Sequence, residues 1–196
     1  MPRVTTVLIA IAMLICLVAA VVLWRMEDRR DASMELSSAS VGGPFTLVDQ
    51  GGRVRTDKDL RGHYVLLYFG YTYCPDVCPT TLALMQAALL KLGGQSGRVV
   101  PVFVTIDPAR DTPTALKTYL SAFGSRFVGL TGTKTQIDTV TREFRVYVVK
   151  RPLPNGNYSM DHSSIIYLLD PQGHFVKTYD DQMSAAQLAD DLKGQL

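Results

Sequence analysis

The apolar residues of the chain follow two different patterns. From Val4 to Trp24 there is no charged residue, and the run ends on an aromatic side chain suited to a membrane interface. Such a run is long enough to span a bilayer as a helix. Elsewhere the apolar residues recur in short runs with strand or helix spacing. The pattern predicts a transmembrane anchor over residues 1–25, a polar tether over 26–40 and one globular domain over 41–196.

A cleaved signal peptide is the alternative interpretation of the first segment. Signal peptides carry a shorter apolar core followed by small residues, whereas this run continues through Val21, Val22 and Leu23. Cys16 follows Ile15, which is not the small residue that a lipoprotein cleavage site places before its cysteine. We therefore predict that the anchor is retained.

Strand and helix patterns alternate within the predicted domain. The runs HYVLLYFGY and RVVPVFVTID are apolar almost throughout, which is typical of strands covered on both faces of a sheet. RFVGLTG predicts a third, shorter strand. Helical spacing follows these strands in three segments, which read TTLALMQAALLKL, TPTALKTYLSAFG and TKTQIDTVTREFRV.

Turn signals complete the predicted order of elements. A hairpin is predicted around Gly51–Gly52 and another around Asp170–Gly173, and the chain closes with the helical pattern SAAQLADDLKGQL. The stretch that holds Pro152, Pro154 and Asn155 is predicted to be irregular. This order predicts an α/β fold, a thioredoxin-like three-layer sandwich with a mixed central sheet.

The charge of the chain argues against nucleic acid as a partner. The formal net charge is only +2, and the Lys and Arg residues are spread along the sequence. A protein that follows a phosphate backbone concentrates its basic residues on one face. We therefore expect no nucleic acid partner.

Two cysteines, Cys74 and Cys78, lie where the first central strand gives way to a helix, in GYTYCPDVCPTTL. Free backbone N–H groups and the helix dipole favour thiolate there, and Pro79 is predicted as the first residue of the helix. A thiolate can be a nucleophile, half of a disulfide or a soft metal ligand, so the position alone leaves these roles open. A purely structural disulfide is a weak explanation, because so short a loop removes little chain entropy.

The spacing C-x-x-x-C gives the two sulfurs more room to share a metal than C-x-x-C does, and a third donor is needed. His63 and His174 are each predicted to be a solvated or hydrogen-bonded residue and not a ligand. His162 precedes the last hairpin, and in a thioredoxin-like fold that loop lies against the cysteines. Two thiolates and one imidazole suit Cu(I), or Cu(II) with altered geometry, whereas zinc would require a fourth ligand.

Three motifs in this order, YFGYTYCPDVCPTTL, VTIDPARDTP and DHSSIIYLLDPQG, resemble the SCO/SenC family of membrane-anchored copper proteins. The similarity covers residues 41–196. It implies a thioredoxin-like fold with copper, Cu(I) or Cu(II), held by Cys74, Cys78 and His162. It also implies a metallochaperone role in building the dinuclear copper centre of cytochrome c oxidase subunit II. Some family members serve instead as thiol reductants for the oxidase cysteines.

Two aspartates follow the second central strand. Asp107 lies at the edge of the sheet where α/β sites assemble, and support of the metal site or a purely structural role are both open for it. Asp111, beside the Thr112 cap, is predicted to accept backbone N–H groups. A thiol peroxidase fits less well, since Tyr71 occupies the position where peroxiredoxins place a threonine.

The orientation of the anchor is predicted from conflicting signals. Arg25, Arg29 and Arg30 follow the apolar run and only Arg3 precedes it, which by charge alone would place the domain in the cytoplasm. The resemblance implies the opposite side, and the chain lacks an Arg-rich mitochondrial presequence. We expect a bacterial inner-membrane protein with its domain in the periplasm, served there by a copper donor or thiol reductant.

Overall fold

The computed structural model describes residues 41–154 and 156–196. The predicted anchor and tether lie outside these ranges, so they stay predictions. Within the described ranges, none of the helices combines the length and apolar character that a bilayer crossing requires.

Nine strands and four α-helices make up the described part of the chain. The strands are β1 (Thr46–Asp49), β2 (Val54–Thr56), β3 (Tyr64–Gly70), β4 (Val99–Thr105), β5 (Val128–Thr131), β6 (Val148–Pro152), β7 (Tyr158–His162), β8 (Ile165–Leu169) and β9 (Phe175–Asp180). The helices are α1 (Val77–Lys91), α2 (Pro113–Leu120), α3 (Lys134–Glu143) and α4 (Ala185–Gln195).

Seven strands form one mixed sheet in the order β2-β1-β5-β4-β3-β8-β9. β3 pairs in parallel with β4, and β4 with β5, whereas β8 lies antiparallel to β3 on its other side. The predicted mixed central sheet is therefore confirmed. β3 and β4 end at the same edge of the sheet, and the cysteine segment begins directly beyond the end of β3.

Helices cover both faces of this sheet. Tyr68 of β3 faces Cys78 in the first turn of α1, and its neighbour Phe103 of β4 contacts Tyr119 of α2. On the opposite face, the next residue of β3 packs against Phe144, which follows α3. Since both faces of β3 are buried, its nearly continuous apolar sequence has a direct physical cause.

Asp49 stabilises the turn of the first hairpin, and its side chain is almost completely buried. Its carboxylate accepts the backbone N–H groups of Gly51 and Arg53 and the Nε–H groups of Arg53 and Arg55. Burial raises the pKa of this carboxyl, but the hydrogen bonds and charges outweigh burial and lower the pKa to about 2. The turn predicted at the Gly pair thus depends on a buried, ionised carboxylate.

Two local expectations were wrong. The predicted irregular stretch is shorter than expected: Pro154 lies in a turn, but Pro152 is the last residue of β6, and β6 and β7 form a separate two-stranded sheet in which Val148 pairs with His162. α1 begins at Val77 and not at Pro79, so Cys78 lies within its first turn. A proline is tolerated at the third helical position because the first N–H groups of a helix have no intrahelical acceptor.

Candidate metal centre

Three segments bring the candidate ligands together at one edge of the sheet. Cys74 lies in the loop between β3 and α1, Cys78 in the first turn of α1, and His162 is the last residue of β7. Gly70, at the end of β3, allows the approach of the sulfur. A Cβ built there would lie 2.9 Å from Cys78 Sγ, closer than real Cβ contacts.

The three donor atoms are close enough to bind one ion. Both cysteines are reduced, and the sulfurs and an imidazole nitrogen lie within 4.8 Å of one another. His162 Nε2 is 3.4 Å from Cys78 Sγ, and the backbone N–H of Cys78 donates to Cys74 Sγ over 3.4 Å. Cys78 is fully buried, whereas Cys74 is half-buried, so one sulfur of the pair faces the surface.

The two thiols titrate in opposite directions. A hydrogen bond from the Cys78 thiol, reinforced by the backbone N–H groups at the start of the helix, lowers the pKa of Cys74 to about 4 despite burial. The pKa of Cys78 is raised, because its proton is held by that same hydrogen bond and because it is buried beside the Cys74 thiolate. The pair therefore carries one thiolate and one thiol near neutral pH.

The imidazole is oriented as a ligand requires. Nδ1 of His162 lies 2.9 Å from the carbonyl oxygen of Ser163, so Nδ1 carries the proton and donates to that oxygen. The lone pair of Nε2 then points to the sulfurs. The rings of Tyr68 and Tyr71 meet the imidazole edge-on, each with centroids 6.0 Å away, and fix its plane.

A buried carboxylate holds the loop that precedes Cys74. Asp111 accepts the N–H of Thr72 at 3.0 Å, the Thr72 hydroxyl at 2.6 Å and the Thr105 hydroxyl at 2.6 Å. The sequence predicted that Asp111 accepts backbone N–H groups, but it did not predict the hydrogen bonds from the two threonine hydroxyls. Burial raises the pKa of Asp111, and these three hydrogen bonds oppose that rise.

Asp107 contacts the hairpin and not the donor atoms. Its carboxylate accepts the Tyr158 hydroxyl at 2.9 Å and the guanidinium of Arg110, and it lies outside the cluster of donor atoms. The aspartate therefore braces the hairpin that ends at His162.

The other two histidines lie apart from the sulfurs. His63 is exposed, and the exposed His174 has its nearest acidic partner, Asp170, at 3.4 Å. In the described ranges, the two cysteines and His162 are the sole cluster of three or more His, Cys, Asp or Glu residues that could hold a metal.

The donor set selects a soft ion. Two sulfurs and one neutral imidazole suit Cu(I), and the nitrogen donor also accommodates Cu(II). Hard cations such as Mg²⁺ require oxygen ligands, and structural zinc requires four donors where this cluster offers three. The residues fit copper.

Comparison with known proteins places this chain in a family. The family profile described as SCO1/SenC matches residues 33–196. The chain belongs to the SCO1/SenC family. It is 41% identical over 157 residues to a SCO2-like protein of Rickettsia prowazekii, and the match covers 79% of this chain and 77% of that one. The chain spans 46% of the mitochondrial SCO1 homolog 1 of Arabidopsis thaliana, to which it is 41% identical over 78% of its own length.

Solved structures of this family share the fold and include copper complexes. The copper-bound structure of Bradyrhizobium japonicum ScoI matches with a TM-score of 0.76 and 43% identity, over 80% of this chain and 100% of that one. Yeast Sco1 with copper bound matches with a TM-score of 0.70 and 38% identity, over 80% and 91% of the two chains. The predicted α/β fold with a mixed central sheet is thereby confirmed.

Proposed function

We propose that this SCO1/SenC protein is a copper metallochaperone. It binds one Cu(I) or Cu(II) through Cys74, Cys78 and His162 and helps to assemble the dinuclear copper centre of cytochrome c oxidase subunit II. The observation that supports this most strongly is the cluster of two sulfurs and one imidazole nitrogen within 4.8 Å, in a family with copper-bound members. A solved relative, BsSco, is described as a member of a family of cytochrome c oxidase assembly proteins.

The uneven burial of the two sulfurs suits transfer of a metal. Cys78 holds the ion from the protein interior, while Cys74 lies at the surface where a thiolate or imidazole of the partner can approach. Three donors leave a coordination position for the incoming ligand, so copper can pass by stepwise ligand exchange. Loading requires the reduced pair, because a disulfide removes both thiolates from the ligand set.

The proposal includes the location of the domain. We infer that residues 1–25 anchor the protein in a bacterial inner membrane and that the domain faces the periplasm. A copper donor or a thiol reductant there would prepare the site. A reporter enzyme active only in the periplasm, fused after Leu196, should be active, and activity of a cytoplasmic reporter at the same position would contradict this location.

Copper uptake tests the site directly. The full chain, purified in detergent, should bind one copper per chain when its cysteines are reduced and little when they are joined. Cys74→Ser and Cys78→Ser should each abolish tight binding. Equal uptake by the reduced and oxidised chains would contradict the proposed ligand set.

Thiol-disulfide reduction is a second candidate, favoured by a half-exposed, low-pKa Cys74 beside a buried Cys78. The Cys74 thiolate would attack a partner disulfide, releasing one partner sulfur as a thiolate and forming a mixed disulfide. Cys78 would then lose its proton and attack the Cys74 sulfur. The products are a Cys74–Cys78 disulfide and a partner dithiol, with two electrons passed to the partner.

A further inference from the structure

The hairpin that carries His162 is not hydrogen-bonded into the central sheet. β6 and β7 pair only with each other, so no backbone ladder fixes their distance from β3. The site nevertheless needs His162 Nε2 beside Cys78 Sγ, where it lies at 3.4 Å. Side chains must therefore hold the hairpin against the cysteine loop.

Arg110 makes several of these contacts on the hairpin side. Its Cζ lies 3.8 Å from the centroid of the Tyr158 ring, and its Nη1–H donates to the Tyr158 carbonyl oxygen over 3.1 Å. The same nitrogen donates to Asn157 Oδ1 over 3.2 Å. One guanidinium thus fixes both the backbone and the ring at the start of β7.

The same guanidinium also contacts the cysteine loop. Its Cζ lies 4.5 Å from the ring centroid of Tyr73, the residue immediately before Cys74, and 5.7 Å from that of Tyr71. The Arg110 side chain is only 15% exposed, and Asp107 balances its charge. A cation enclosed by three aromatic rings is held more firmly than an exposed one.

We propose that Arg110 is a positioning residue of the metal centre, whose guanidinium clamps the hairpin that carries His162 to the loop that carries Cys74. This inference rests on the proposed copper site. Arg110 acts through the tyrosine rings and the Tyr158 carbonyl and does not touch the metal. A planar, forked guanidinium can stack on the rings and donate to the carbonyl oxygen at the same time. The ammonium of lysine cannot do both.

The clamp affects the two oxidation states of copper differently. Two thiolates can hold Cu(I) without the imidazole, whereas Cu(II) prefers a nitrogen donor. A hairpin released from the loop no longer presents His162 at a fixed position, so the entropy of ordering it opposes Cu(II) binding. Arg110 therefore sets the affinity for Cu(II) more than that for Cu(I).

The first test compares three arginine variants in the reduced full chain, with affinities measured by competition with chelators. Arg110→Gln and Arg110→Lys should each weaken Cu(II) binding by about 10- to 100-fold, as is typical when a residue that orients a ligand is lost. Cu(I) affinity should stay within about threefold of the parent. Nitrogen hyperfine coupling should weaken in the Cu(II) EPR spectrum.

Arg126→Gln is the matched control. Arg126 is also half-buried and donates to the Val99 carbonyl oxygen over 2.7 Å, but Val99 begins β4, at the opposite end of that strand from the metal centre. Its variant should keep the parental affinities for both ions. Parental Cu(II) affinity in Arg110→Gln, or in Arg110→Lys, would overturn the proposal that the planar guanidinium of Arg110 clamps the hairpin to the cysteine loop.

A double-mutant cycle that combines Arg110→Lys with Tyr158→Leu keeps the test decisive if Arg110→Gln folds poorly. Tyr158→Leu removes the ring from the hairpin side, and it should weaken Cu(II) binding to a similar extent. Because both residues form one clamp, the double variant should lose little more than either single variant. Fully additive losses would overturn the clamp. If the parent chain itself binds no copper, the proposed function fails instead.

Discussion

Gly70→Ala is the sharpest test of the packing around the metal centre. Gly70 ends β3, and a Cβ added there would lie 2.9 Å from Cys78 Sγ, 2.9 Å from Phe103 Cε2 and 3.2 Å from Tyr68 Cε1. Ordinary contacts of this kind lie at 3.4–4 Å, so the sulfur and the Phe103 ring must each retreat by at least about 0.5 Å. Neither has free space, because all three neighbours are fully buried.

The expected cost follows from this geometry. The backbone of Gly70 does not have a positive φ, so overpacking alone sets the penalty, at about 1–3 kcal/mol. For a chain of this length that corresponds to a fall in Tm of roughly 2–12 °C. Because the displaced atom is a candidate ligand, the affinities for Cu(I) and Cu(II) should fall together.

Thermal unfolding of the reduced, metal-free chain and copper competition provide the measurements. Gly97→Ala is the control, since nothing lies within 4 Å of a Cβ added at Gly97 and its φ is not positive. It should unfold at the parental temperature and bind copper normally. A Gly70→Ala chain with parental Tm and copper affinity would refute the close approach of the strand end to the sulfur.

Three further predictions follow from the site and the first hairpin. His162→Ala should weaken Cu(II) binding more than Cu(I) binding and leave formation of the Cys74–Cys78 disulfide intact, whereas the control His174→Ala should bind copper like the parent. If His162→Ala keeps the parental Cu(II) affinity, the thiol-reductase function is favoured instead. Alkylation of Cys74 by iodoacetamide should be nearly independent of pH between about 5 and 8, because its pKa is about 4. Cys78→Ala should move the onset of alkylation to higher pH, since alanine cannot donate the hydrogen bond that stabilises the Cys74 thiolate most; a parental onset in that variant would contradict the assignment. Folding lowers the pKa of Asp49 to about 2, so its contribution to the free energy of unfolding is fully present above about pH 4 and is lost as the pH falls to 2. Asp49→Asn should therefore lower the free energy of unfolding, measured by chemical denaturation, by about 2 kcal/mol at pH 7 and by almost nothing at pH 2. An equal loss at both pH values would contradict an ionised Asp49.

The main sheet, its helices and the cysteine pair could be predicted from sequence because their signals are local. The nearly unbroken apolar run of β3 reflects burial on both faces. Thr112 accepts the N–H of Ala115, and Pro113 is the first residue of α2, as a cap and first-turn proline predict. The position of His162, in contrast, was predicted only by assuming the fold and the family resemblance.

Tertiary structure alone decided how the cysteine loop and the hairpin that carries His162 meet. The β6–β7 hairpin was missed because its prolines resemble loop signals, and pairing between the strands overrides those local preferences. Asp111 lies 39 residues from Thr72, and Arg110 lies 48 residues from the Tyr158 carbonyl that it binds. Periodicity and turn chemistry report only on near neighbours along the chain, so contacts at such separations exist only once the sheet has brought the two loops to one edge.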